Sequence, residues 1–345
     1  MFHLVFVFIF LLYNVEGKPS AVSKKSIEDF HLNLYKSLVN IKPDENAFFS
    51  PYSISLALSM VAGGARGKTE KELLNLLQTS SRDKLDSSIK QLMDITRLPQ
   101  IKLANRLYPD RKFSILSPFK RRLQKLYNIT LASVDLNAKN ITPVLDEINA
   151  WVSNQTNGNI KQTLNENDLA TNSPAVLNAL LIINCLVFDA KWKQEFEAQN
   201  TIGGNTFFPD KGPQQDKILT LMMQQGHFSY VDLTSKIGAR MVHLPFENND
   251  FTFTIILPNK NVTLSEVESK LTSTLLNSPT TTNQTVFLWI PKWKFESANN
   301  IEDILKKKMK VTDVFDENKA NLKGLSMQKK IYLSNLIHKY VYLFH

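Results

Sequence analysis

NAFFSPYSISLALSMVAGGARGKTEKEL, residues Asn46–Leu73, is the stretch whose reading decides the fold. Ser50 before Pro51 is an N-cap and first-turn pair: the hydroxyl can accept from an early helical N–H, and proline sits where its missing N–H costs nothing. Ile54, Ala57, Leu58 and Val61 then recur at helical spacing, which marks a buried helix. Gly63-Gly64 stops it. Thr69 with Glu72 three residues later reads as a capping box, opening a second helix through Leu73, Leu76 and Leu77.

Outward from this pair, helical stretches are expected near Lys84–Arg97, Pro118–Tyr127 and Pro143–Asn154. Val176–Phe188 is apolar almost throughout, interrupted by Asn178 and Asn184, as in a strand buried on both faces at the centre of a large sheet. Phe251–Leu257 and Val286–Ile290 are shorter strand runs closed by Pro258 and Pro291, where ladder donation stops. Helices and strands interleave irregularly, with no internal repeat or low-complexity linker, so a single α+β domain is the expectation.

The 345 residues are 43% hydrophobic and 21% charged, a composition able to bury a core and unlike that of a disordered or collagen-like chain. Leu4–Tyr13 is an unbroken apolar run, followed by Val15-Glu16-Gly17 and a polar stretch. Too short to span a bilayer, it reads as a signal peptide over residues 1–17, with a mature chain from residue 18 to 345. Five sequons fit secretion: Asn128-Ile-Thr, Asn140-Ile-Thr, Asn154-Gln-Thr, Asn261-Val-Thr and Asn283-Gln-Thr. The single cysteine, Cys185, excludes an intrachain disulfide framework and reads as a core residue within its apolar run.

The net charge is +9 and the basic residues cluster: Lys120, Arg121, Arg122 and Lys125; Lys306, Lys307, Lys308 and Lys310; Lys329 and Lys330. Such runs are usually solvated faces. In a secreted protein the acidic partner they fit is a sulfated polysaccharide, a glycosaminoglycan, rather than nucleic acid. Ala62–Thr69 resembles a phosphate-binding loop with alanine in place of its first glycine, but such a loop follows a strand, and here a helix precedes it. No G-x-S-x-G elbow and no H-E-x-x-H helix occurs, and the six histidines never pair at metal-ligand spacing. The expectation is no enzyme, no metal, no cofactor, no nucleic acid and no membrane partner.

Asn46–Leu73 closely resembles the signature of the serpin family, and further segments follow in serpin order. They are Leu103-Ala-Asn-Arg-Leu-Tyr108, Ile148-Asn-Ala-Trp-Val152, Val176–Trp192 ending VFDAKW, Met222–Gly226, Leu244-Pro-Phe246, Ile255–Pro258, Ile290–Glu296, Val311–Asp316 and Ala320–Ser326. The resemblance implies an α+β serpin fold, with a large sheet A, two smaller sheets and about nine helices. It also implies suicide inhibition of an extracellular serine protease. The protease cleaves an exposed loop and, still acyl-linked, is carried across the molecule as that loop inserts into sheet A. Ser50, Ser53, Asn184 and His338 resemble the shutter cluster beneath the strands that part, with capping and core satisfaction as the plainer alternative. Trp192 resembles the breach tryptophan where the loop first enters, with a generic buried aromatic as its alternative. A complete form is expected to be a monomer.

The sequence departs from the pattern at Lys310, where the family has glycine, at Asp189-Ala190, and above all at its end. Ile337-His338-Lys339 matches the start of strand 5 of sheet A, and Tyr340–His345 follows without a match. The expectation is a serpin incomplete at the C-terminus, lacking hinge, reactive-site bond and last strands, and non-inhibitory as written. The rival reading is a non-inhibitory extracellular binding or carrier protein on a reduced scaffold. For Tyr340–His345 two readings stand: a strand continued by the alternation of Tyr340, Tyr342 and Phe344, or translation into an intron, since Lys339-Tyr340-Val341 can be encoded with a donor-like GTATGT.

Overall fold

The computed structural model describes residues 21–41, 47–169, 177–207, 217–277, 282–292, 295–298 and 301–345; the expected signal peptide lies outside the described residues. The first half of the chain is helical around one strand: α1 (Ala21–Ile41), α2 (Pro51–Gly64), α3 (Gly67–Leu76), α4 (Arg82–Ile95), β1 (Ile101–Pro109), α5 (Ser117–Tyr127) and α6 (Thr142–Gln155). Strands dominate next: β2 (Leu180–Ala190), β3 (Thr201–Phe207), β4 (Lys217–Leu233), α7 (Thr234–Ile237), β5 (Ala239–Pro245) and β6 (Thr252–Pro258). The last elements are α8 (Leu264–Lys270), α9 (Ser273–Leu276), β7 (Thr282–Pro291), β8 (Phe295–Ala298), α10 (Ile301–Lys307) and β9 (Leu333–Phe344).

One sheet has the order β1-β2-β9-β8, with β2 in its interior as its apolar run requires. The other strands form a second, five-stranded sheet: β4 pairs with β3 and β7 along its first part and with β5 near its end, so one 17-residue strand makes continuous what the resemblance divides into two smaller sheets. Period-2 alternation puts Leu180, Ile182, Leu186 and Phe188 of β2 into a core on the α2 side. Leu181, Ile183, Cys185 and Val187 point the other way, against Val144, Leu145, Ile148 and Val152 of α6. Both faces of β2 are thereby dry.

α2 begins as its sequence predicts: Ser50 is extended and its Oγ accepts from Ser53 N at 3.4 Å, with Pro51 in the first turn. It is buried all round from Ser53 to Gly64. At Gly64 a Cβ would lie 2.8 Å from Leu325 Cβ, so glycine there permits the approach of the distant segment around Leu325, whose Gly324 N donates to Gly64 O at 2.9 Å. The capping box at Thr69 is corrected. α3 starts three residues earlier, with Arg66 at the N-cap; Thr69 Oγ1 accepts from Asn321 N at 3.0 Å, and Glu72 accepts from Thr312 N and Asp313 N at 3.0 Å each. Both side chains bind a distant loop instead of capping their own helix.

β9 extends through Phe344, and Tyr340 and Tyr342 are buried on the α2 side. The Tyr340 hydroxyl donates to Phe48 O, and Phe48 packs against both tyrosines, at 4.6 and 5.0 Å between ring centroids. Val341 faces the α6 side. The alternation of Tyr340, Tyr342 and Phe344 is thus that of a strand in register with its neighbour.

Candidate functional site: a polar cluster beneath a parallel seam

Among the described residues every strand pair is antiparallel except β2–β9. This parallel seam runs from Leu180 opposite Leu333 to Ala190 opposite Phe344, with one register shift near its start. Asn184 lies opposite His338 across the seam and opposite Asn105 on β1, so three polar side chains cross three adjacent strands in one row.

Ser50 and Ser53, at the start of α2, meet that row. Asn184 Oδ1 accepts from Ser53 Oγ at 3.0 Å and from His338 Nδ1 at 2.5 Å. Asn184 Nδ2 donates to Ser53 O at 2.8 Å and to Asn105 Oδ1 at 3.0 Å. The carboxamide uses its full complement of two donors and two acceptor positions. His338 Nε2 accepts from Ser50 N at 3.1 Å, which assigns the ring proton to Nδ1. Ser50, Ser53, Asn184 and His338, singled out from the sequence, come together; Asn105 joins them and was not singled out. Its signal was a polar residue in the middle of the Leu103–Tyr108 segment, on a strand that had still to be placed beside Asn184.

Burial lowers the His338 pKa to about 3. The cause is loss of hydration, and two features agree with it: Nε2 is occupied by the Ser50 N–H, and the ring lies at the positive end of α2. The cluster is therefore neutral and directional. Burial also raises the Tyr342 pKa, with Ser50 as the hydrogen-bond partner of its hydroxyl.

Trp192 lies just past β2, buried against Phe246 and Phe344 at centroid distances of 4.7 and 5.4 Å and near-parallel planes. Its backbone N–H donates to His345 O at 2.9 Å, and His345 N donates to Ala190 O at 3.1 Å, which prolongs the seam. Cys185 is fully buried with its thiol pushed up to about 12, so it is an inert core residue. Lys68 pairs with Glu72 and Asp313, and Gly67–Thr69 belongs to a helix that follows another helix, which removes the nucleotide reading. Of the basic clusters, Arg122 is paired with Asp86, Lys306 with Glu302 and Lys307 with Asp303. Lys120, Arg121, Lys125, Lys329 and Lys330 are exposed, as are all five sequon asparagines, Asn128, Asn140, Asn154, Asn261 and Asn283. No helix among the described residues is long and apolar enough to cross a membrane.

The family profile described as serpin (serine protease inhibitor) matches residues 25–342. Human neuroserpin is 28% identical, with 96% of this chain and 82% of that protein covered. Human leukocyte elastase inhibitor is 29% identical over 90% of this chain and 82% of its own length. A crystal structure of maspin superposes with a TM-score of 0.84 at 26% identity, covering 94% of this chain and 86% of that one.

Two predictions follow from the cluster. Asn184→Ala leaves the His338 Nδ1 donor and the Asn105 Oδ1 acceptor without these partners in a dry site, while Ser53 Oγ keeps Ser50 O at 3.2 Å, and is expected to cost about 3 kcal/mol in a urea titration. An unchanged midpoint would show that the row carries no stability. The second concerns pH. The folded pKa of His338, about 3, lies below the unfolded value. Between pH ~6.5 and ~3 the unfolded chain therefore binds a proton that the folded chain refuses, and stability falls as pH falls through that window. At pH 5 the loss is about 2 kcal/mol. His31, lowered to about 3 by burial, adds to the wild-type slope, so the readout is the smaller slope of His338→Gln. An imidazole NMR titration of His338 in the wild type should show no protonation above about pH 4.

Proposed function

The chain belongs to the serpin family, and we propose that it is a secreted, non-enzymatic protein of the inhibitory type, directed at extracellular serine proteases. The observation that carries this reading is the closed parallel seam between β2 and β9 above a neutral polar cluster. A strand inserted there would run antiparallel to both neighbours, replacing one parallel pairing by two antiparallel ones, the geometry with the better hydrogen bonds per residue. Asn184 and His338 would have to part. Their other partners, Ser50, Ser53 and Asn105, stay on the flanking elements and keep part of each hydrogen-bonding capacity satisfied.

The apolar segment Leu4–Tyr13 and the five exposed sequon asparagines support secretion. Ser50, Ser53, Asn184 and His338 act as the shutter and Trp192 as the breach residue at the top of the seam. In this reading β2 and β9 are the receiving strands of the sheet. A glycosaminoglycan partner would act through Lys120, Arg121, Lys125, Lys329 and Lys330, whose cations are exposed. Neutralising Lys120, Arg121 and Lys125 together should then move elution from heparin to lower salt, and unchanged elution would exclude the α5 face.

The inhibitory reading is tested with two polypeptides on denaturing gels. Residues 18–345 alone should give no detergent-stable complex with trypsin, chymotrypsin or elastase. A chimera in which the hinge, loop and closing strands of human leukocyte elastase inhibitor follow Phe344 should give one with elastase. A folded chimera that is cleaved as a substrate, without complex, would overturn the reading.

A further inference from the structure

Five large apolar side chains are exposed among the described residues: Leu177, Ile202, Phe287, Trp289 and Met327. Two of them, Phe287 at 68% and Trp289 at 45% exposure, stand on one strand, β7. Burial alternates at the end of β7, where Leu288 and Ile290 are buried and Phe287 and Trp289 exposed; Thr282 to Thr285 are all exposed, and strand parity in an unshifted register puts Asn283 and Thr285 on the side of Phe287 and Trp289. Directly opposite on β4, in the same face, are Ser229, His227, Gln225 and Met223. Aromatic surface of this kind on a soluble protein calls for a cover.

The same face carries its own. Asn283-Gln284-Thr285 is a sequon, its asparagine is exposed, and residues of equal parity in a strand project to one side. At about 3.3 Å per residue, Phe287 lies roughly 13 Å and Trp289 roughly 20 Å from Asn283 along the strand. A pyranose repeat measures about 5 Å from ordinary C–C and C–O bond lengths, so an N-linked core reaches both rings. The C–H faces of its sugars are apolar and pack on aromatic faces, while their hydroxyls remain in water. The neighbouring polar groups, Thr285 and His227, whose Oγ1 and Nδ1 are 3.4 Å apart, and Gln225 offer hydrogen-bond partners to those hydroxyls.

We propose that Asn283 carries an N-linked glycan that folds back along β7 and covers Phe287 and Trp289. Asn128, Asn140, Asn154 and Asn261 share no strand face with an exposed aromatic residue, so this role is specific to Asn283. The proposal rests on the secretory reading above, because glycan addition requires passage through the secretory pathway.

The test expresses the full chain in glycosylating cells behind a heterologous leader, so that glycan addition does not depend on residues 1–17. Peptide mapping reads occupancy at Asn283. Hydroxyl-radical footprinting then reads oxidation of Phe287 and Trp289 residue by residue in four proteins: the glycosylated chain, the chain trimmed by endoglycosidase to its protein-linked sugar, Asn283→Gln, and Thr285→Ala. Occupancy is expected, with both rings oxidised about twofold or more faster in the last three, as covered surface opens. Asn261→Gln is expected to leave the two rates unchanged. An unoccupied Asn283, or equal rates in all forms, overturns the proposal; rates that fall with protein concentration in every form would assign the face to a second copy of the chain. Failure of the chain's own first 17 residues to export it refutes secretion separately, without altering the footprint of the heterologously exported protein.

Discussion

The structure turns on one carboxamide in a place that permits no water. Asn184 is fully buried in the middle of β2, between two apolar cores, and a lone amide there would cost several kcal/mol. Its four hydrogen-bonding positions are instead distributed over α2, β1 and β9. That distribution fixes three relations at once: the register of β1 against β2, the register of β9 against β2, and the depth at which the start of α2 meets the sheet. A one-residue slip of β9 would put His338 on the α6 face and leave Ser50 N and Asn184 Oδ1 short of a partner.

The neutrality of the cluster follows from the same constraint. His338 can donate to Asn184 and accept from Ser50 only as the Nδ1-protonated neutral ring, and the helix end above it opposes a second proton. A salt bridge in this position would carry the desolvation cost of two ions and would resist separation far more strongly. Short neutral groups hold the seam closed at modest cost and can exchange partners, which suits a sheet proposed to open.

Legibility in the sequence divides along the range of the interactions. α2 was readable because its cap, its first-turn proline and its terminating glycines are local to the chain, and β2 because burial on both faces leaves an unbroken apolar run. Thr69 and Glu72 carry the spacing of a capping box, but their partners, Asn321, Thr312 and Asp313, lie 240 to 252 positions away, out of reach of a local reading. β4 went unread. Its Met222–Tyr230 portion mixes Gln, Gly, His and Ser with apolar residues, since one side packs and the other faces solvent beside β7. Ser50, Ser53, Asn184 and His338 were reached through family motifs, and the physical reason for their grouping became visible only in the pairing register. Asn105 needed that register as well.

The two ends of this machinery differ in kind, and the difference orders the proposed opening. At the Trp192 end the seam is held by stacked rings, Trp192, Phe246 and Phe344, together with the bond from the Trp192 backbone N–H to His345 O. Ring contacts are non-directional, so they can slide past an incoming strand and re-form on its side chains while apolar area stays covered. Halfway down, the Asn184–His338 bond offers no such continuum: it is made or lost, and its loss leaves a donor and an acceptor in a dry site until the new strand arrives. An entering strand therefore meets a gradual resistance first and an all-or-none one second. In the proposed opening the commitment step would fall at the Asn184 row, where Ser53 and Asn105 would hold the carboxamide on β2 while His338 departs with β9.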